Sequence, residues 1–296
     1  MIKMKNEEVI NRILQFHPDL PAYEGCDGYK AGNPLDECTG VVSALVPTVQ
    51  VIRKTAELGC NLLVTHEPIY YQTPDYPEWK GKFENRVYEE KKALLERYGI
   101  TVWRDHDHIH AHQPDLIFKG VIKYLGWERY ELKHHGEIPL YYAFEIPPVT
   151  VQELAGFFME KLGMNGIRFV GKPEDVIRRA AIVAHLYPQP GDEIREDGYY
   201  HDYSSQIMRQ MEEADCIDAV IPGEVIEWTL LSYIHDAVSM GRTKACFNIG
   251  HYNMEELGMR YAADWIKELL PDQMPVHYVQ TEQYFTYMQR QEMHKE

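Results

Sequence analysis

Cysteine is scarce in this 296-residue chain: Cys26, Cys38, Cys60, Cys216 and Cys246 make five, an odd number. No C-x-x-C spacing occurs, so neither a disulfide framework nor a thiolate zinc site is indicated. Basic residues are also short, with 30 Lys and Arg against 46 Asp and Glu and a net charge of −16. A chain of that sign has no basic face to neutralise phosphates, which argues against nucleic acid or an anionic membrane as the main partner. No uninterrupted apolar run is long enough to span a bilayer, and the opening M-I-K-M-K-N-E-E-V-I lacks the apolar region of a signal peptide. A cytoplasmic location is therefore expected. A phosphate-binding glycine loop and an internal repeat of solenoid period are missing as well.

What is present is an ordinary soluble composition, 45% hydrophobic and 26% charged, in a chain long enough for one large or two modest domains. Strand-like and helix-like segments alternate along it. An amphipathic helix is predicted over 6–16, with Val9, Ile10, Ile13 and Leu14 on one side. After a Gly- and Pro-rich loop comes a β-α-β unit: strand 40–46, helix 49–58 ended by Gly59, and strand N-L-L-V-T running into His66-Glu67-Pro68. Residues 69–81 read as a loop that covers or lines a pocket, 82–98 as a charged helix closed by Gly99, and 100–104 as a strand. Then follows D-H-D-H-I-H-A-H, residues 105–112, ahead of a helix at 115–125. If extended, this stretch alternates His106, His108, His110 and His112 on one face with Asp105 and Asp107 on the other; the alternative is a solvated polar turn.

The middle section, 131–180, carries strand 140–146, helix 151–162 and strand 167–170, with His134-His135 read as a surface pair. Beyond it the alternation resumes: strand A-A-I-V-A-H, helix near 203–214, strand D-A-V-I-P-G, helix 224–240, strand A-C-F-N-I-G, helix 251–270 and a closing strand near 275–279. The expected organisation is an α/β lobe over 1–130, a connecting segment over 131–180 and a second α/β lobe over 181–296. Tyr199-Tyr200-His201-Asp202 and Gly223-Glu224 lie at loop ends, as site-lining groups or as turn and cap residues. The terminal E-Q-Y-F-T-Y-M-Q-R-Q-E-M-H-K-E is amphipathic, in the manner of a docking tail.

Three junctions offer metal ligands. His66 and Glu67 end one apolar strand, His106 and His110 follow another, and His251 and Glu255 stand at the start of a helix after a third. The last pair is spaced i, i+4, so imidazole and carboxylate are neighbours on one helix face, suited to a metal or to a plain surface hydrogen bond. In parallel sheets the carboxyl ends of strands gather functional groups. Six nitrogen and carboxylate donors exceed what one tetrahedral zinc needs and suit two adjacent ions with open positions.

These blocks resemble the Nif-three-like group, dinuclear-metal proteins labelled GTP cyclohydrolase I type 2 homologues. The resemblance spans roughly 20–280 and rests on G-Y-K-A-G, A-E-L-G-C-N-L-L-V-T-H-E-P and V-I-P-G-E followed by N-I-G-H-Y-N-M-E. The group's pattern is a strand ending in T-H-H-P, a strand ending in H-x-x-x-D, and G-H-x-x-x-E. His66, His106, His251 and Glu255 match it. Glu67 stands where the second His belongs and His110 where the Asp belongs, an exchange that conserves the number of imidazoles and carboxylates. Asp105 or Asp107 would be available to stand in for the missing carboxylate.

The resemblance implies two α/β lobes with mostly parallel mixed sheets flanked by helices, a metal site in the cleft between them, and assembly as a homo-oligomer, commonly a ring-shaped hexamer. It further implies two divalent ions (zinc, manganese, iron or cobalt) and metal-assisted hydrolysis of a small-molecule substrate. His66, Glu67, His110, His251 and Glu255 would hold the metals, and His106 or His108 would move protons or complete the ligand set. A non-catalytic metal-storage, metal-delivery or adaptor protein would use the same ligands.

Overall fold

The computed structural model describes residues 3–72, 82–132, 138–188, 192–196, 198–213 and 216–288. The expected loop 69–81 falls largely outside these residues, as do the His134-His135 pair and the end of the terminal tail. Within them the chain runs α1 (Asn6–Phe16), β1 (Gly28–Ala31), β2 (Val41–Ala44), α2 (Val49–Glu57), β3 (Leu62–Thr65), α3 (Arg86–Tyr98), β4 (Thr101–Arg104), α4 (Asp107–His110) and α5 (Leu116–Leu125). It continues with β5 (Tyr141–Thr150), α6 (Val151–Leu162), β6 (Arg168–Val170), β7 (Val176–Val183), β8 (Glu193–Ile194), β9 (Tyr200–His201) and α7 (Tyr203–Glu212). The last elements are β10 (Ala219–Pro222), α8 (Ser232–Ser239), β11 (Ala245–Asn248), α9 (His251–Leu269) and β12 (Val276–Tyr278).

The chain forms two compact units, the first from 1–124 with 255–282, the second from 125–254 with 283–296. The first holds a five-stranded sheet in the order β1-β4-β3-β2-β12, parallel except for β1. Strands β2 and β3 are buried at every position, which is why both read as mainly apolar, with one small hydroxyl residue each in place of strict alternation. Val42, Ala44, Ile52, Leu63, Ile100 and Val102 are among the residues of its core. Helix α3 stops at Gly99, whose φ of 61° lies in the left-handed region that glycine enters without a Cβ penalty.

Two glycines let α5 and α9 meet. A Cβ on Gly120 would lie 2.8 Å from the Gly258 Cα, and one on Gly258 would lie 2.7 Å from the Ile117 Cα. Side chains at either position would hold the helices apart, so the contact depends on their absence. The Ser43 hydroxyl adds a tie from β2, donating to the Met259 carbonyl at 2.7 Å. Leu257, Met259, Ala262, Trp265 and Ile266 are all buried, so α9 is covered over a broad arc.

The second unit holds a sheet in the order β5-β7-β10-β11-β6, with parallel β7, β10 and β11 at the centre and antiparallel strands at both edges. Its core includes Ala181, Val183, Ile207, Val220, Leu230 and Ile234. A small β8-β9 hairpin stands apart.

Four expectations are revised. Segment 131–180, expected to connect the lobes, supplies β5, β6 and part of β7 of the second sheet. The closing strand β12, expected with the second lobe, pairs with β2 in the first sheet. The helix expected over 224–240 begins only at Ser232, after a π-helical turn at Glu227–Leu231 kinked at Thr229. Residues 105–112 are not extended: α4 is a single helical turn, which puts His106 and His110 on one face and turns His108 away from them.

Candidate metal centre

Helix α4 exists because Asp27 builds it. The Asp27 carboxylate accepts the backbone N–H groups of His106, Asp107 and His108 at 2.7, 3.0 and 2.9 Å, and also faces His108 Nδ1 at 2.7 Å. Burial alone would raise the Asp27 carboxyl, but these donors outweigh it and hold it below its ordinary value. Asp107 is clasped in turn by the Tyr23 hydroxyl at 2.5 Å and the Cys26 N–H at 3.2 Å. Burial pushes the Cys26 thiol up to about 12, so it stays protonated as a donor to these carboxylates.

Three imidazoles converge in the first unit. His66 at the end of β3 and His106 and His110 on α4 place one donor nitrogen each within 4.8 Å of one another. His66 Nε2 lies 3.2 Å from His110 Nε2 and 3.4 Å from Glu255 Oε2. The far side of each ring fixes which nitrogen carries the proton. His66 Nδ1 faces the Asp105 carbonyl at 3.1 Å and His110 Nδ1 faces Asp115 Oδ2 at 2.6 Å, so both Nδ1 atoms donate. His106 Nδ1 likewise faces Asp107 Oδ1 at 2.8 Å. In the neutral rings the Nε2 atoms are then lone pairs, and those of His66 and His110 point at each other.

Two lone pairs at that distance repel unless a cation lies between them. Nitrogens bound at about 2.0–2.1 Å in a tetrahedral zinc site stand about 3.3 Å apart, close to what these rings adopt. An imidazole that donates its other N–H to a carboxylate or carbonyl is the arrangement of a ligating histidine. The donor set fits a divalent metal. The same geometry also binds a proton: burial lowers His110, but Asp115 outweighs it and raises the imidazole overall. Burial and then the neighbouring His66 hold His106 below the ordinary histidine range.

The other candidates are placed as follows. Glu67 follows β3 in the first unit, its N–H on the Leu45 carbonyl at 2.9 Å. His108 packs against Tyr23 and His17, with ring centroids 4.7 and 6.0 Å away. Asp105 and Asp107 turn to His17 and to Tyr23 and Cys26. His251 opens α9 in the second unit, one turn before Glu255, and there joins His185 and Glu224 in a further group of donors within 4.8 Å. These three follow parallel strands β11, β7 and β10, at one sheet edge. The Glu224 N–H donates to His185 Nδ1 at 3.1 Å, and a Cβ on Gly223 would strike the His185 ring at 2.6 Å. Asp202, the other loop-end candidate, caps α7 by accepting the Ser205 N–H.

His17, Asp27, Asp115 and His185 escaped the sequence reading. Asp115 left a signal there as an acid at the start of a helix, and His185 as the end of the strand A-A-I-V-A-H. Among the described residues no helix is long and apolar enough to cross a membrane.

The chain is similar to known proteins over most of its length. A GTP cyclohydrolase 1 type 2 homolog of Clostridium perfringens is 23% identical over 275 residues, 90% of this chain and 93% of that protein. One of Clostridium acetobutylicum is 22% identical over 263 residues, 86% of each. A Bacillus cereus protein related to NIF3 has the same fold, with a TM-score of 0.70 at 14% identity over 97% of this chain and 100% of that one. A Staphylococcus aureus hypothetical protein matches at a TM-score of 0.67 and 17% identity, over 97% and 100% of the two chains. The sequence pattern of the Duf34/NIF3 (NGG1p interacting factor 3) family covers residues 4–184, more than half of the chain, which therefore belongs to that family.

Proposed function

We propose that this is a divalent-metal protein that hydrolyses a small molecule. The observation that carries the reading is the pair of Nε2 atoms of His66 and His110, 3.2 Å apart, each ring anchored through Nδ1 to an acceptor. His66, His110 and Glu255 would hold one ion, with His106 completing the set. Glu67 and His251 are the remaining ligands proposed on sequence grounds, for two ions in all. Imidazole and carboxylate donors suit zinc, manganese, iron or cobalt. An ion held there would supply Lewis-acid chemistry, polarising a carbonyl or phosphoryl oxygen and lowering the pKa of water.

The protein groups have separate tasks. Asp115 and the Asp105 carbonyl keep His66 and His110 in the tautomer that presents Nε2. If it stays outside the ligand set, His106, held below the ordinary histidine range, is neutral near pH 7 and able to accept a proton at Nε2. His108, with Nδ1 on Asp27, is held in a fixed orientation as the other candidate for proton transfer. The labels of the clostridial relatives name a cyclohydrolase homologue, consistent with hydrolytic chemistry. Assembly as a homo-oligomer, a ring-shaped hexamer by family resemblance, belongs to the same proposal, as does a cytoplasmic location.

Elemental analysis after reconstitution, followed by a hydrolase substrate screen with and without chelator, tests the reading. Up to two ions per chain and turnover that vanishes on chelation are expected. A folded protein that takes up no metal removes the reading. Metal uptake and transfer to an apo-protein without turnover would favour delivery over catalysis.

A further inference from the structure

His17 and His112 take no direct part in the proposed ligand set, yet they form a continuous chain into it. His17 ends α1, its N–H still on the Ile13 carbonyl at 3.2 Å, and its side chain is fully buried. Its ring meets the edge of Trp265 at a centroid distance of 5.4 Å. His17 Nε2 lies 3.1 Å from Asp105 Oδ2, and Nδ1 lies 2.8 Å from His112 Nε2. An ionised carboxylate only accepts, so His17 Nε2 carries the hydrogen. Nδ1 of the neutral ring is then the acceptor, and His112 Nε2–H donates to it. Hydrogen bonds thus run in one direction, His112 to His17 to Asp105.

Asp105 is where this chain reaches the metal centre. Its side chain is also fully buried, and among the described residues its Oδ1 has no hydrogen-bond partner, so the His17 N–H is the donor its carboxylate relies on there. The peptide linking Asp105 to His106 is gripped from both sides. Its carbonyl accepts from His66 Nδ1 at 3.1 Å, and its N–H donates to Asp27 Oδ1 at 2.7 Å. Side-chain rotation leaves that carbonyl in place, but a backbone adjustment that carried the Asp105 carboxylate toward another donor would move the carbonyl that sets the tautomer of His66 and displace the residue that leads into His106. A buried carboxylate stripped of its donor is costly enough to drive such an adjustment.

We propose that His17 is a positioning residue of the metal centre, holding Asp105 so that the Asp105 carbonyl keeps His66 Nε2 available as a ligand, with His112 fixing the orientation of His17. This rests on the metal reading above and extends it to two histidines outside the ligand set.

Cobalt(II) titration of the purified full-length protein tests it, read by visible absorption and by competition with a chelator. The comparison is parent, His17→Leu, His17→Gln and His17→Asn. The Gln side chain reaches as far as Nε2 and keeps an N–H for Asp105, whereas Asn reaches only as far as Nδ1. Loss of an outer support of this kind weakens metal binding by about 10–100-fold. That loss is expected for Leu and Asn, with an altered cobalt spectrum, while Gln stays within about threefold of the parent on the same scale. If Leu does not fold, the order of Gln over Asn decides. Leu or Asn binding cobalt with the parent's affinity and spectrum would overturn the proposal, as would Gln and Asn losing affinity equally. A parent that binds no cobalt would instead bring down the metal reading itself.

Discussion

Asp115 divides its carboxylate between two tasks: Oδ2 lies 2.6 Å from His110 Nδ1, while Oδ1 accepts the N–H groups of Ile117 and Phe118 at 2.8 and 3.1 Å and caps α5. Asp115→Asn separates them. Its amide oxygen can keep the cap, but the NH2 then faces His110 and forces Nδ1 to accept. The hydrogen moves to Nε2, the wrong tautomer for a ligand. Metal affinity, measured by calorimetric titration, is expected to fall about 10–100-fold with little change in thermal stability. Asp115→Ala should lose the cap as well, costing about 1 kcal/mol of stability in addition.

The same contact sets a pH dependence. Asp115 raises the His110 imidazole, so a proton occupies it at higher pH than an ordinary histidine, whose pKa is about 6.5. Only the neutral ring offers Nε2, so proton and metal compete. Metal affinity should therefore climb as pH rises through and beyond that ordinary value, with proton release on binding. Calorimetry in buffers of different ionisation enthalpy measures the release. Asp115→Asn removes the raising influence, so its residual affinity should level off at lower pH. An affinity flat from pH 6 to 8 would count against His110 as a ligand.

Packing between α5 and α9 positions two parts of the first-unit site, since Asp115 precedes α5 and Glu255 lies on α9. Gly120→Ala would put a methyl 2.8 Å from the Gly258 Cα and the Leu257 carbonyl, backbone atoms that cannot step aside locally. Overpacking of this kind costs about 1–3 kcal/mol. The denaturant midpoint should fall with an unchanged slope, and metal affinity should weaken with it. An unchanged midpoint would mean that the two helices separate freely.

The strand–helix alternation was legible because buried parallel strands such as L-L-V-T read as apolar runs, and because Gly59 and Gly99 mark helix ends. What stayed hidden has a physical reason in each case. The turn of α4 contains one apolar residue, Ile109, so no periodicity announces it; Asp27, some 80 positions away, supplies the acceptors that wind it. Strand β1, G-Y-K-A, is half-buried throughout and forms only by pairing with β4. Strand β12 looked like the close of the second lobe because its partner β2 lies more than 200 residues earlier. The donors themselves were legible as residue types after strands. Their supports were not, since a lone His17 at a helix end carries no pattern until Asp105 is folded against it.

The last prediction concerns Glu67 and His110, the two positions where the resemblance to the Nif-three-like pattern breaks in this sequence. Glu67→His removes a carboxylate, so cations bound nearby meet less compensating charge and affinity should fall. His110→Asp alone should fall too: it leaves the buried Asp115 Oδ2 without its imidazole donor and sets a second carboxylate on the adjacent turn. The double variant places His at 67 and Asp at 110, as the resemblance would have them, and keeps the original count of imidazoles and carboxylates. If the pair exchanged character together, affinity in the double variant should exceed that expected from summing the single losses. Coupling of that kind arises when groups share an ion or neighbouring ions, with interaction energies of about 0.5–3 kcal/mol. Metal titration of parent, both single variants and the double gives the cycle directly. Strictly additive losses, or a Glu67→His variant that binds both ions as tightly as the parent, would show that Glu67 and His110 are not paired ligands. The first-unit donors His66, His106, His110 and Glu255 would then serve a single ion.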